Sequence, residues 1–194
     1  MLQALDVQTF YWINGWQLGP LSPVLVFFSI ALGELWFRIV LAALVIYLLV
    51  RNWRTRMALL GAILASGLGN EITDWLKAWF AGPRPYHVLP DVISRVGEAG
   101  PQSLATASAH SANMAAVATA FWLFLGWKRG LPWVLIAFFT GLSRIYVGAH
   151  FPAQVLLGWA VGVGAGFFVY FFLESIRKWW LSRKKPAGET ETAA

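Results

Sequence analysis

Cysteine is absent from this chain of 194 residues. That excludes a disulfide, a thiol nucleophile and a cysteine-based metal site. Charge is scarce as well, at 12% of residues, against about 25% in an ordinary soluble domain. No period-2 strand pattern is left over between the apolar stretches. The N-terminus has no basic start and no small-residue cleavage site, so it does not read as a signal peptide.

What is present is apolar. Hydrophobic residues make up 58% of the chain, mean hydropathy is +0.60 and there are twelve Trp. Indole favours the headgroup region of a bilayer, so this composition points to a membrane protein. The length allows one domain. A bilayer core of roughly 30 Å needs about 20 helical residues. Stretches 57–76, 111–127 and 155–173 reach or approach that length, and 131–142 does so if it continues to about 149. Stretch 21–50 is longer than one span needs, with Gly33 as the place for a break. Backbone groups in lipid must be satisfied within their own segment, so these stretches should be helices. Their continuous hydrophobicity argues against a β-barrel, whose strands alternate.

A net charge of +6 would by itself suggest nucleic acid, but its placement argues otherwise. Ten of the fifteen Lys and Arg fall at Arg51, Arg54 and Arg56, at Lys128 and Arg129, and at Arg177, Lys178, Arg183, Lys184 and Lys185. These are alternate connections plus the C-terminal tail, which the positive-inside rule assigns to the cytoplasm. Connections 78–107 and 149–152 then lie outside, as does the N-terminus if there are five spans. We expect an all-α integral membrane protein of about five transmembrane helices. An interfacial segment should occupy 1–20, the helical bundle 21–180 and a polar cytoplasmic tail 181–194.

Three clusters border the outer ends of the apolar stretches: Lys77 with Arg84-Pro85; Ser108 and His110; and Ser143-Arg144 with His150 and Gln154. Ionisable groups beside spanning segments are costly and by default mark function. Three cations suit the spread charge of a transferring phosphoryl group. The Arg forks match phosphate oxygens, and Lys is a point charge. Ser108 can cap a helix start, where free N–H groups and the dipole favour an anion. One histidine can be the nucleophile and the other the acid for the leaving oxygen. No metal or other cofactor is called for, because the cations do what Mg²⁺ would.

The same residues taken singly have plainer readings. Lys77 and Arg84 alone would be interface anchors. Tyr86 and His87 read as interfacial, and Arg95 and Glu98 as solvated. Glu34 and Arg38 have the spacing of an intrahelical ion pair. Residues 6–18 read as an interfacial helix, and the glycines at 158, 162, 164 and 166 as a close-packing stripe.

The three clusters together resemble the signature of the type 2 phosphatidic acid phosphatases, K-x6-RP, PSGH and SR-x5-H-x3-D. The resemblance covers roughly 59–173. It implies a helical bundle with His150 as nucleophile and His110 as general acid. Lys77, Arg84, Ser108, the backbone N–H of Ala109 and Arg144 would hold the phosphate. Three positions depart from the pattern: Ala107 stands for Pro, Ala109 for Gly, and Gln154 for the Asp that orients the nucleophile. Gln154 can still accept the Nδ1–H bond but brings no charge. The function expected is metal-independent hydrolysis of a lipid phosphate or diphosphate, through a phosphohistidine. Its setting would be the periplasmic or extracellular face of a bacterial cytoplasmic membrane. Undecaprenyl diphosphate, phosphatidylglycerol phosphate, phosphatidic acid and lipid A phosphate are candidate lipids. A phosphotransferase to another acceptor, or a weakly catalytic lipid-binding or transport protein, are the alternatives. The expected partners are the lipid and the bilayer, with no nucleic acid.

Overall fold

The computed structural model describes residues 1–97 and 104–184. Glu98, Lys185 and the polar stretch 186–194 lie outside the described residues. Among the described residues there are helices and no strand. The α-helices are α1 (Leu2–Asn14), α2 (Ser22–Ile30), α3 (Leu35–Val50), α4 (Trp53–Trp79), α5 (Pro85–Val88), α6 (Ala109–Leu125), α7 (Trp127–Tyr146) and α8 (Pro152–Lys184).

Five helical passes make the bundle: α2 with α3, then α4, α6, α7 and α8. The first pass is broken, as its length and Gly33 suggested. A 3₁₀ turn at Ala31–Gly33 and extended Glu34 (φ −82°, ψ 124°) separate α2 from α3. Glu34 and Arg38 form no ion pair. Glu34 takes the N-cap position, and Arg38 reaches back to the Gly33 carbonyl at 3.5 Å. Glu34 itself lies outside the helix in extended backbone, so helical spacing does not govern its side chain.

Length and composition let α8 cross a bilayer by itself; a second candidate, 3–14 with 19–33, is bent by 105°. Helix α6 stops at 17 residues, and α4 carries Asn70, Glu71 and Asp74 in its second half. The outward surface is nonetheless apolar, with Ile39, Ile63, Phe168 and Phe171 all about three-fifths exposed. A surface of that kind calls for lipid rather than water.

Helix α6 is the axis of the bundle and packs on α4, α7 and α8. Its buried face is alanine (112, 115, 116, 118 and 120), which lets neighbours approach closely. Gly158, Gly162 and Gly166 of α8 meet it at Ser108, Ala112 and Thr119. Gly164 faces open space, so the packing stripe is three glycines rather than four. One residue, Gly126 with φ +81°, turns α6 into α7. The core has two parts. One, around Ala62, Phe121 and Phe124, lies toward the α6–α7 turn. The other, around Phe10, Ile145, Tyr146 and Val155, lies at the opposite end and buries one face of α1. The other face of α1 exposes Leu5 and Trp12, as an interfacial helix should.

Candidate active site

The end of α4, the start of α6, the end of α7 and the start of α8 meet at one end of the bundle. Ser108 is the N-cap of α6, and its Oγ accepts the Ser111 N–H at 3.4 Å. Its own N–H donates to the Gln154 carbonyl at 2.9 Å, which ties α6 to α8. The N–H groups of Ala109 and His110 follow, and helix geometry gives them no intrahelical acceptor. The approach is close because position 158 is glycine. A Cβ there would stand 2.5 Å from the Ser108 carbonyl oxygen.

His150 sits in the connection between α7 and α8, 4% exposed. The Ala149 and His150 N–H groups both donate to the Arg144 carbonyl, at 3.0 and 3.1 Å. Arg84, at the N-cap of α5, donates from Nη1 to the Ala149 carbonyl at 3.2 Å and lies 3.4 Å from His150 Nε2. The Arg144 Nε is buried without a hydrogen-bond partner among the described residues. A buried unpaired donor costs about 1–3 kcal/mol, and an anion would satisfy it. His110 lies within electrostatic range of Arg144, Arg84 and Lys77. Lys77 holds Asp74 one turn back on α4, Nζ to Oδ1 at 2.7 Å. Tyr86 lies within electrostatic range of Arg144.

Gln154 settles the state of the His150 ring. Its Nε2 donates to the Pro83 and Ala105 carbonyls, at 3.1 and 3.0 Å. Both amide hydrogens are thereby used, so Oε1 must be the atom facing His150. It accepts the Phe151 N–H at 3.2 Å and lies 3.1 Å from His150 Nδ1. An acceptor there requires Nδ1–H, which leaves Nε2 unprotonated, its lone pair facing the Arg84 Nη1 donor at 3.4 Å. Burial, then Arg144 and Arg84, hold the His150 pKa well below its ordinary 6.5, with the Gln154 bond opposing them and His110 adding to them. The ring is therefore neutral at neutral pH.

All the residues expected from the sequence thus fall at one end of the bundle. Arg95 does not behave as expected. It is half-buried, donates to the Tyr146 and Trp16 carbonyls at 2.6 and 3.2 Å, and covers the Tyr146 ring at 3.9 Å. Helix-terminal carbonyls and an aromatic face supply what water would have supplied. Ser143, from the third cluster, bonds to Ser29 of α2 and braces α7. At the opposite end, cavities of about 370 and 310 Å³ are lined by Arg54, Lys128, Arg129 and Arg177. None of the site residues lines them. Among the described residues no cluster of three His, Asp or Glu has the arrangement of a metal site.

The sequence family described as the PAP2 superfamily matches residues 55–178. The bacitracin transport permease protein BcrC of Bacillus licheniformis is 27% identical over 169 residues, 86% of this chain and 80% of that one. The lipid A 4'-phosphatase of Porphyromonas gingivalis is 29% identical over 179 residues, 87% of this chain and 75% of that one. The crystal structure of Aquifex aeolicus LpxE superposes with a TM-score of 0.68 at 28% identity, covering 86% of this chain and 94% of that one. The transmembrane PAP2 type phosphatidylglycerolphosphate phosphatase from Bacillus subtilis does so at 0.64 and 24% identity, covering 90% and 87%.

Proposed function

The chain belongs to the PAP2 superfamily, and we propose that it hydrolyses lipid phosphates or diphosphates through a phosphohistidine at His150, without a metal ion, at the outer face of a bacterial cytoplasmic membrane. It is a phosphoric ester hydrolase acting on lipid phosphates, in keeping with its relatives. The observation that carries the mechanism is the Gln154 amide. With both its hydrogens spent on carbonyls, it fixes His150 as the Nδ1–H tautomer and aims a neutral Nε2 at the space beside Arg84.

The steps follow. Lys77, Arg84, Arg144, the Ser108 hydroxyl and the Ala109 N–H hold the three phosphate oxygens. His150 Nε2 attacks phosphorus in line. The N–P bond forms, the P–O bond to the lipid breaks, and His110, protonated once the bound phosphate anion offsets Arg144, Arg84 and Lys77, gives its proton to the leaving oxygen. A water then attacks phosphorus, His110 takes a proton from it, the N–P bond breaks and phosphate leaves. Three fixed cations and a helix N-terminus supply the charge stabilisation that this loose transition state needs.

Charge placement supports the outer side of the membrane. Arg54, Lys128, Arg129 and Arg177 gather at the end opposite the site, and such clusters face the cytoplasm. The bacterial relatives support the setting. A test is phosphate release by the purified chain from a panel of lipid monophosphates and diphosphates. Release from at least one lipid is expected. Turnover only with an added acceptor alcohol would make it a phosphotransferase, and binding without turnover a lipid-binding or transport protein.

A further inference from the structure

Residues 1–54 lie outside the stretch that the family pattern matches, yet α1 reaches both flanks of the segment that carries His150. We propose that Asn14 and Asp6 are positioning residues for the reaction. They hold residues 146–153 so that the His150 ring meets phosphorus in line. The proposal rests on His150 being the nucleophile.

Asn14 is 1% exposed, and its amide joins two segments far away in sequence. Oδ1 accepts the Ile93 N–H at 2.9 Å, while Nδ2 donates to the Ile93 and Tyr146 carbonyls, each at 3.0 Å. Tyr146 is the last residue of α7, so its carbonyl has no partner within the helix. Asn14 and Arg95 supply two. The Arg95 N–H adds a bond to the Val147 carbonyl at 3.3 Å. Gly148, at φ +84°, lies against Val92 and Ile93. A Cβ there would stand 3.0 Å from Val92 Cγ1 and 3.1 Å from the Ile93 oxygen. A side chain at 148 would therefore push the loop away from residues 92–93.

Asp6 works on the far side of His150. Its Oδ1 accepts the Ala153 N–H at 2.8 Å, in the first turn of α8. A carboxylate is favoured there by the free N–H groups and the helix dipole. Between Asp6 and Asn14, fully buried Phe10 packs on Phe151 with ring centroids 5.6 Å apart. One helix thus fixes the loop at Tyr146, Phe151 and Ala153, before and after the nucleophile. None of the groups that would grip phosphate is among these contacts. The effect is on the direction of attack, where a misplacement of about 1 Å can cost roughly 100-fold.

The test uses the whole purified chain in lipid nanodiscs, assayed well below its thermal midpoint. Asn14→Ala should lower kcat at least about tenfold, with KM and the inhibition constant of inorganic phosphate within about threefold of wild type, because the phosphate grip is intact. Asp6→Ala should lower kcat about threefold to tenfold, and Asp6→Asn, which keeps the acceptor oxygen, should restore it. Asp6 is only partly buried, so this pair stays informative if Asn14→Ala fails to fold. His150→Ala is measured alongside. Activity retained in His150→Ala would remove the nucleophile assignment. An inactive His150→Ala with unchanged kcat in the Asp6 and Asn14 variants would overturn the positioning role alone. Equal losses in Asp6→Ala and Asp6→Asn would overturn it too.

Discussion

Gln154 presents an amide oxygen 3.1 Å from Nδ1 of His150, where the related pattern has a carboxylate. The ring is therefore oriented without a negative charge behind it. The amide nitrogen does a second job by joining the Pro83 and Ala105 carbonyls. Gln154→Ala should lower kcat more than tenfold, because orientation and three other bonds are lost together. Gln154→Glu should also be slow and less stable. Its second carboxylate oxygen would face two carbonyl oxygens in place of the NH₂ group. Steady-state kinetics and thermal midpoints check both. An active, stable Gln154→Glu would mean that the amide nitrogen contributes nothing.

The two histidines should separate by leaving group. His150→Ala should be inactive on every substrate. His110→Ala should lose about 10²–10⁴-fold on a lipid alkyl phosphate and much less on an aryl phosphate, whose leaving oxygen needs no acid. Equal losses on both substrates would argue against His110 as the acid.

Burial, reinforced by Arg144 and Arg84, keeps His150 neutral when folded, with its pKa well below 6.5. The unfolded chain takes up a proton there near 6.5. The contribution to stability is therefore full above 6.5 and is lost as pH falls from 6.5 toward the folded pKa. Thermal midpoints of wild type and His150→Gln should diverge in the wild type's favour as pH rises from 5 to 7.5. A difference that did not change with pH would contradict a buried neutral imidazole.

Helix packing and the phosphate grip meet at Gly158. A Cβ there would press on the Ser108 carbonyl and, at 3.0 Å, on Ser111 Cβ. Gly158→Ala should cost about 1–3 kcal/mol by overpacking. It should also raise KM, since Ser108 caps the helix that faces the anion. Gly164→Ala, pointing into open space, is the control: it should leave KM unchanged and cost no stability, since Ala is the better helix former.

Cysteine labelling can map the two faces, because the chain has no cysteine of its own. Asp91→Cys should react with an impermeant thiol reagent added outside cells, and Trp53→Cys should not. The reverse pattern would invert the orientation.

Much of this was legible because the signals are local. Apolar stretches gave the helices, Ser108 marked the start of α6, and the length of 21–50 with Gly33 foretold the break in the first pass. Lys77 and Arg84, Ser108 and His110, and Arg144, His150 and Gln154 stood at ends that charge placement put on one face. Asn14, Asp6 and Arg95 were not legible. Their partners lie up to 147 residues away, and no periodicity records such a contact. Arg95 read as solvated because a lone basic residue in a loop does not reveal that a helix-terminal carbonyl and an aromatic ring await it. Glu34 and Arg38 had the right spacing for a pair, but only on a helix that continues, and this one stops at Ile30.

The most direct measurement is to trap the covalent intermediate. Purified chain mixed with a ³²P-labelled lipid phosphate and quenched in alkali within milliseconds should carry label that is stable to base, labile to acid and confined to the peptide containing His150. The label should be absent in His150→Ala and should build up in any variant that slows the water step. Turnover with no labelled protein at any quench time, or label on His110, would contradict the account.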